Sequence, residues 1–268
     1  MPLRMTQTTI RAGIGGWTYE PWRGTFYPDK WPQKRELEYA SRHVTSIEIN
    51  GTYYSSFKPQ SFAGWAATAP DDFVFAVKAS RYCTNRKVLA EAGESIGRFV
   101  GQGVTELGDK LGPILWQFMA TKKFDSDDFG AFLKLLPARH GGVPLRHAVQ
   151  VRHESFATPD FVALCRAAGV AIVFAESAEY PAIADVAGDL VYARLESGVE
   201  TERAGYAPAA LDRWAEVAKA WAAGRQPEGL PYAAPDAAPV QPRDVFVFFI
   251  NGAKVRAPHG AKALIERL

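Results

Sequence analysis

Eight short apolar runs, each separated from the next by a stretch long enough for a helix, constrain this chain more than any other feature of it. The runs cover 11–16, 46–50, 73–79, 113–118, 147–152, 171–176, 190–196 and 245–251. Each is short enough for a buried strand and too short for an independent helix. Helical candidates lie between them at 34–43, 59–69, 91–111, 126–136, 159–168, 208–223 and 258–268, and 177–188 offers a short helix interrupted by Pro181. Eight strands with intervening helices are what a (β/α)8 barrel of the TIM type requires. An open doubly wound sheet would carry Gly-x-Gly-x-x-Gly after its first strand, and "GIGGW" does not match it. The 268 residues, 47% of them hydrophobic and 22% charged, suit one α/β domain over 1–268. The Pro- and Ala-rich segment 224–244 joins the seventh helix to the eighth strand, so it is expected as a surface connection at the bottom of the barrel.

In a parallel barrel one strand face meets the helices and the other the interior, so alternation sorts the side chains. In "SIEIN" the isoleucines go outward and Ser46, Glu48 and Asn50 go inward. In "FVFAVK" the inward set is Val74, Ala76 and Lys78; in later strands it is Leu115 with Gln117, Ala148 with Gln150 and Arg152, and Tyr192 with Arg194 and Glu196, before Asn251 ends the eighth. The polar members gather towards the C-terminal strand ends, where barrel active sites lie. Glu48 then lines a polar pocket with Lys78 on the next strand as its expected partner, because a lone buried charge is destabilising. The alternative is an ion network that only satisfies itself. The aromatic loop 15–32 reads mainly as a hydrophobic roof, with Trp17 and Tyr19 nearest the strand end and best placed to wall the pocket; Tyr53 follows the second strand.

Net charge of +2 is too close to neutral to announce a nucleic-acid binder. The five histidines are dispersed, so no metal or other cofactor is expected, although a single Mg2+ on Glu48 or Glu196 stays open. Two carboxyls for glycoside hydrolysis are available among Glu48, Glu176 and Glu196, but nothing in the spacing selects that chemistry. Cys83 and Cys165 read as an ordinary loop thiol and a core residue. With no leader-like start, no membrane-length apolar run and no disulfide framework, a cytoplasmic protein is expected.

The stretches "IGGWTYEPWRGTFYP", "SIEINGTYYSSF", "FVFAVKASRYCTN", "GPILWQF", "VQVRHESF" and "FFINGAKVRAPHGAKAL", in this order, resemble the YecE-like family, domain of unknown function 72, over nearly the whole chain. The resemblance implies a barrel related to the xylose isomerase and endonuclease IV superfamily. It places pocket residues at Trp17, Tyr19, Glu48, Asn50, Tyr53, Lys78, Arg81, Gln117, Arg152 and Arg194. The chain departs from the family pattern in having Asn85 after Thr84, "QFMA" after the fourth strand, Gln150 in the fifth and Glu196 after the seventh. These departures remove two histidines and a carboxylate, which points to a diverged subgroup.

Lys78, Arg81, Arg152 and Arg194 make a small phosphate- or carboxylate-bearing ligand the favoured partner. As an enzyme the chain would use Glu48 as general acid/base, with Lys78 polarising the anion and Glu196 and Asn251 also contacting it. Hydrolysis, isomerisation and lyase chemistry all fit, with a lean to metal-independent hydrolysis or phosphoester chemistry. A nucleic-acid or nucleotide module and a catalytically inactive scaffold are the competing readings.

Overall fold

The computed structural model describes residues 9–250 and 252–268. Eight parallel strands close into a barrel: β1 (Ile10–Gly15), β2 (Ser46–Ile49), β3 (Val74–Lys78), β4 (Leu111–Gln117), β5 (His147–Gln150), β6 (Ala171–Glu176), β7 (Leu190–Leu195) and β8 (Asp244–Phe249). Each strand pairs with its neighbours in sequence, and β1 closes on β8. Among the described residues, besides one-turn helices at Gly51–Tyr54 and Arg81–Thr84, the longer helices are α1 (Glu36–Ala40), α2 (Pro59–Thr68), α3 (Gly93–Gly101), α4 (Ser126–Leu135), α5 (Pro159–Ala168), α6 (Pro208–Ala222) and α7 (Ala257–Ile265). The chain is therefore an α/β barrel, as the alternation of runs requires. A small hairpin, Arg139–His140 with Val143–Pro144, is added before β5.

Alternation along the strands builds two cores. Ile47, Ile49, Phe75, Val77, Trp116 and Val149 belong to the outer core against the helices. Ala76, Leu115, Ala148, Val173, Tyr192 and Phe246 fill the interior. Small side chains on some strands leave room for large aromatic ones on β7 and β8. Gly13 is required for the closure: a Cβ there would lie 2.0 Å from the Ser46 carbonyl oxygen. The apolar fill occupies the lower interior, and the upper interior is left to the polar residues at the strand ends.

Two helical expectations are corrected. The helix over 91–111 breaks after Gly101. Gly103 takes a left-handed conformation at φ 115° and lies so close to α2 that a Cβ would come within 2.6 Å of Pro59. A 3-10 segment follows, and Leu111 is already the first residue of β4. The segment 177–188 forms no helix at all. Pro181 lacks a backbone donor, and the second half of the segment hydrogen-bonds outward to a distant part of the chain.

Its partner is the long connection 224–244. Ala184 N–H donates to the Pro231 carbonyl at 2.8 Å. The buried Asp185 carboxylate accepts from the N–H groups of Ala233 at 2.6 Å and Ala234 at 3.1 Å. Arg243, also buried, donates to the carbonyls of Gly188, Gln241 and Pro239. This connection is mostly exposed or half-buried and lies at the β6–β7 and α6–β8 side of the barrel. Asp185→Ala should release it, at a loss of about 1–3 kcal/mol from unpaired donors. Limited proteolysis would then cut within 224–244 several times faster than in the wild type, and unchanged cleavage would show that Asp185 does not hold the connection.

Candidate functional site

The upper interior is organised by one arginine. Arg194, on β7 and 2% exposed, aims its guanidinium across the barrel at Glu48 on β2. Its Nε and Nη2 each donate to one Glu48 oxygen at 3.2 Å. Its Nη1 donates to Glu196 Oε1 and to Gln150 Oε1, both at 2.8 Å. Tyr192, two residues earlier on the same face, donates its hydroxyl to Glu48 Oε2 at 2.6 Å, and its ring lies 5.0 Å from that of Phe248. Gln117 Nε2 completes the layer by donating to Gln150 Oε1 at 2.7 Å.

Glu48 is fully buried, and burial alone pushes its carboxyl up. The Arg194 guanidinium, the Lys78 ammonium and the Tyr192 hydroxyl outweigh that effect and hold it below the ordinary carboxylate range. For Arg194, too, burial is overcome by Glu48 and Glu196, and its pKa rises. Glu48 is thus an anion with both oxygens engaged and no surface facing the cavity. Two expectations change accordingly. Its ion-pair partner is Arg194, across the barrel, rather than Lys78 on the adjacent strand. The general acid/base role also does not suit it, because a proton donor or acceptor must reach its ligand.

Above this layer opens a cavity of about 350 Å³. Lys78, Arg152, Arg194 and Lys254 line it, together with Asn50, Tyr53 and Gln117, and among the described residues no carboxylate does. Lys78 ends β3. Its carbonyl accepts the Thr52 hydroxyl at 2.6 Å, which ties the loop after β2 to this strand end. The same loop sets Tyr53 beneath the ammonium, with Nζ 4.4 Å from the ring centroid. Asn85 donates to the Tyr53 hydroxyl at 3.1 Å and fixes that ring. Lys78 is 7% exposed, and among the described residues it makes no hydrogen bond or ion pair through Nζ. Burial and the Arg194 and Arg152 charges outweigh the Glu48 and Glu196 carboxylates and pull its pKa down to about 8.

Arg152 follows β5 with its guanidinium 4.3 Å from the Tyr180 ring centroid, and its Nε is buried without a hydrogen-bond partner. The non-helical segment after β6 therefore supplies a ring to the site. Lys254, in the turn before α7, places Nζ 4.4 Å from the Tyr19 ring centroid, and its carbonyl accepts Trp22 Nε1–H at 2.8 Å.

The remaining expected site residues fall as follows. Arg81 is exposed over Tyr82 and does not reach the cavity. Trp17 packs edge-on against Trp65 at 5.4 Å, and Tyr19 meets the site indirectly, beside Lys254 and edge-on against Trp22; the loop's contribution to the cavity wall is the buried Trp22. Glu196 belongs to the Arg194 cluster below the cavity. Asn251 lies outside the described residues. Among the described residues no three His, Cys, Asp or Glu side chains converge as a metal site. Cys83 is buried, and desolvation pushes its thiol up to about 12, so it is no thiolate nucleophile.

The sequence profile "Protein of unknown function DUF72" matches residues 11–268. The chain belongs to the DUF72 family. Crystal structures of two other DUF72 proteins share its fold. The protein from Thermotoga maritima MSB8 is 21% identical with a TM-score of 0.71, over 96% of this chain and 98% of that one. The protein from Enterococcus faecalis V583 is 16% identical with a TM-score of 0.69, over 97% of each. No curated protein matches the chain in sequence. No helix among the described residues of this DUF72 chain is long and apolar enough to cross a membrane.

Lys254, Trp22, Tyr180 and the role of Tyr192 are not marked in the sequence. Lys254 sits in a loop, where no periodicity marks a residue's direction. Tyr192 was legible as an inward residue, yet nothing in the sequence says that its hydroxyl caps Glu48. Tyr192→Phe removes a buried hydrogen bond to a charged group and should lower stability by about 1.5–3 kcal/mol in urea unfolding at pH 7. A loss below about 0.5 kcal/mol would show that the Tyr192 hydroxyl contributes little to holding Glu48 beside the Arg194 and Lys78 charges.

Proposed function

We propose that the cavity binds a small organic anion bearing a phosphate or carboxylate. The observation that carries this reading is the lining: among the described residues, four cationic side chains and no carboxylate. Glu48 and Glu196 neutralise Arg194 from below. Lys78, Arg152 and Lys254 have no ion-pair partner among the described residues, and Arg152 Nε is an orphaned buried donor. An anion would satisfy all three, with the guanidinium supplying paired hydrogen bonds. Proton handling in such a site falls to Lys78, the buried titratable group that lines the cavity, rather than to Glu48. Hydrolytic, isomerising and lyase chemistry are each compatible with an amine in that role.

The test is thermal denaturation with inorganic phosphate, pyruvate, glyceraldehyde 3-phosphate and AMP, each against chloride at equal ionic strength. At least one anion should raise the midpoint in a concentration-dependent way, and Arg152→Ala and Lys254→Ala should weaken the response. Affinity should fall as the pH rises through about 8, because Lys78 then loses its charge. AMP is included because Tyr54 lines the cavity while 67% exposed, a ring open to stacking on a base. A response to AMP that far exceeds phosphate would favour a nucleotide. No response to any anion would overturn the proposal.

A further inference from the structure

Resting on the anion-binding reading above, we propose that Lys78 is an imine-forming amine whose partner is a small carbonyl compound carrying a carboxylate or phosphate. Three observations converge on it. The first is availability. Nζ faces a cavity of about 350 Å³ and has no hydrogen bond or ion pair among the described residues, so no contact must be broken before it attacks. The second is its surroundings. Arg194 from β7 and Arg152 beyond β5 oppose a further positive charge, Glu48 on β2 and Glu196 beyond β7 favour one, and the Tyr53 ring lies against the amine from the loop after β2. Burial tips the balance, and a substantial neutral fraction is present at pH 7.5–8. Enclosure and neighbouring cations are the established ways to make a lysine nucleophilic. The third is an anchor. The orphaned Arg152 Nε and the unpaired Lys254 can hold the anionic end while the carbonyl carbon meets Nζ.

The step balances without a further reactant. The Nζ lone pair attacks the carbonyl carbon, a C–N bond forms, and the carbonyl oxygen takes the proton released by nitrogen. The proton that the ammonium gave to solvent before the attack returns to that hydroxyl, the C–O bond breaks, water leaves and the nitrogen lone pair forms the C=N bond, so that ammonium plus carbonyl gives iminium plus water with the charge opposite Glu48 restored.

The experiment is reductive trapping on the full chain. The protein is incubated at pH 7.5 with sodium cyanoborohydride and one of pyruvate, glyceraldehyde 3-phosphate or uncharged propanal, and adducts are mapped by peptide mass spectrometry. An amine near 8 is neutral on the order of 100-fold more often than an ordinary lysine at this pH. The Lys78 peptide should therefore be modified well ahead of those bearing exposed lysines such as Lys30 and Lys58. Preference for pyruvate over glyceraldehyde 3-phosphate identifies a carboxylate ligand, and the reverse a phosphate. Arg152→Ala should lower the ratio of anionic to propanal labelling by about 10-fold or more, the worth of one charge-assisted hydrogen bond, with the propanal arm reading separately the loss of the Arg152 charge beside the amine. Phosphate raising the melting midpoint with no adduct at Lys78 in any arm would overturn the imine while leaving the anion site standing. Propanal labelling Lys78 as fast as both anions would instead remove the anion requirement.

Discussion

Arg194→Met should be the most damaging substitution in the polar layer, lowering stability by about 3–5 kcal/mol at pH 7. The residue makes four hydrogen bonds to Glu48, Glu196 and Gln150, and methionine makes none of them. What remains is a pair of buried carboxylates, with only the Tyr192 hydroxyl and the more distant Lys78 charge to offset Glu48. Removing one partner of a buried ion pair is costly for the charge left behind, whatever the intact pair contributes. The pH dependence follows from sign. In the wild type the Glu48 pKa is held below its unfolded value, so its contribution is complete above the ordinary carboxylate range and is lost as the pH falls through the lowered folded value. In the variant, burial is no longer opposed by Arg194 and the carboxyl protonates more readily. The gap between wild type and Arg194→Met should therefore narrow as the pH is lowered from 7 towards about 4. Urea unfolding across that range checks it. A deficit that stays constant would mean that lost packing, not stranded charge, is the cause.

Lys78→Met should act in the opposite direction and stabilise the fold. An amine whose folded pKa is pulled from 10.5 to about 8 is less welcome as a cation in the native protein than in the unfolded chain. At about 1.4 kcal/mol per pKa unit the penalty is on the order of 3 kcal/mol. The unfolded chain binds more protons between about pH 8 and the ordinary lysine value, so wild-type stability should rise across that interval. The penalty is complete below about pH 8 and vanishes once both states are neutral. Lys78→Met should thus gain most at pH 7 and progressively less towards pH 10 and above. A group that destabilises its own fold is expected where function requires it. Measured melting midpoints equal to the wild type at pH 7 would mean that Lys78 is not strained by its site.

The barrel was legible because strands buried on both faces leave an unmistakable trace: Ile47 and Ile49 against Glu48, Phe75 and Val77 against Lys78, Val149 against Gln150. The same alternation gathered Glu48, Lys78, Gln117, Arg152 and Arg194 at one end. It could not say which cation would meet which carboxylate. Adjacent strands suggested Lys78 for Glu48, but Lys78 lines the cavity with its ammonium over the Tyr53 ring, while Arg194 spans the interior from a strand far away in sequence. That match depends on barrel closure and the volume of neighbouring side chains, which no local pattern encodes. The segment 177–188 departs from its helical pattern for a related reason. Its backbone partners lie about fifty residues further along the chain, at Pro231, Ala233 and Ala234. Lys254 and Trp22 reached the site from loops, where the direction of a side chain is set by tertiary contacts alone.

The state of one nitrogen decides most of this. Titration of Lys78 can be followed by NMR on protein labelled with 13C at lysine Cε, with Lys78→Arg assigning the resonance. The account predicts a midpoint near 8 in the free protein, moving upward when phosphate or pyruvate is added because a bound anion favours the ammonium. A resonance that titrates at the ordinary lysine value and ignores both anions would contradict it.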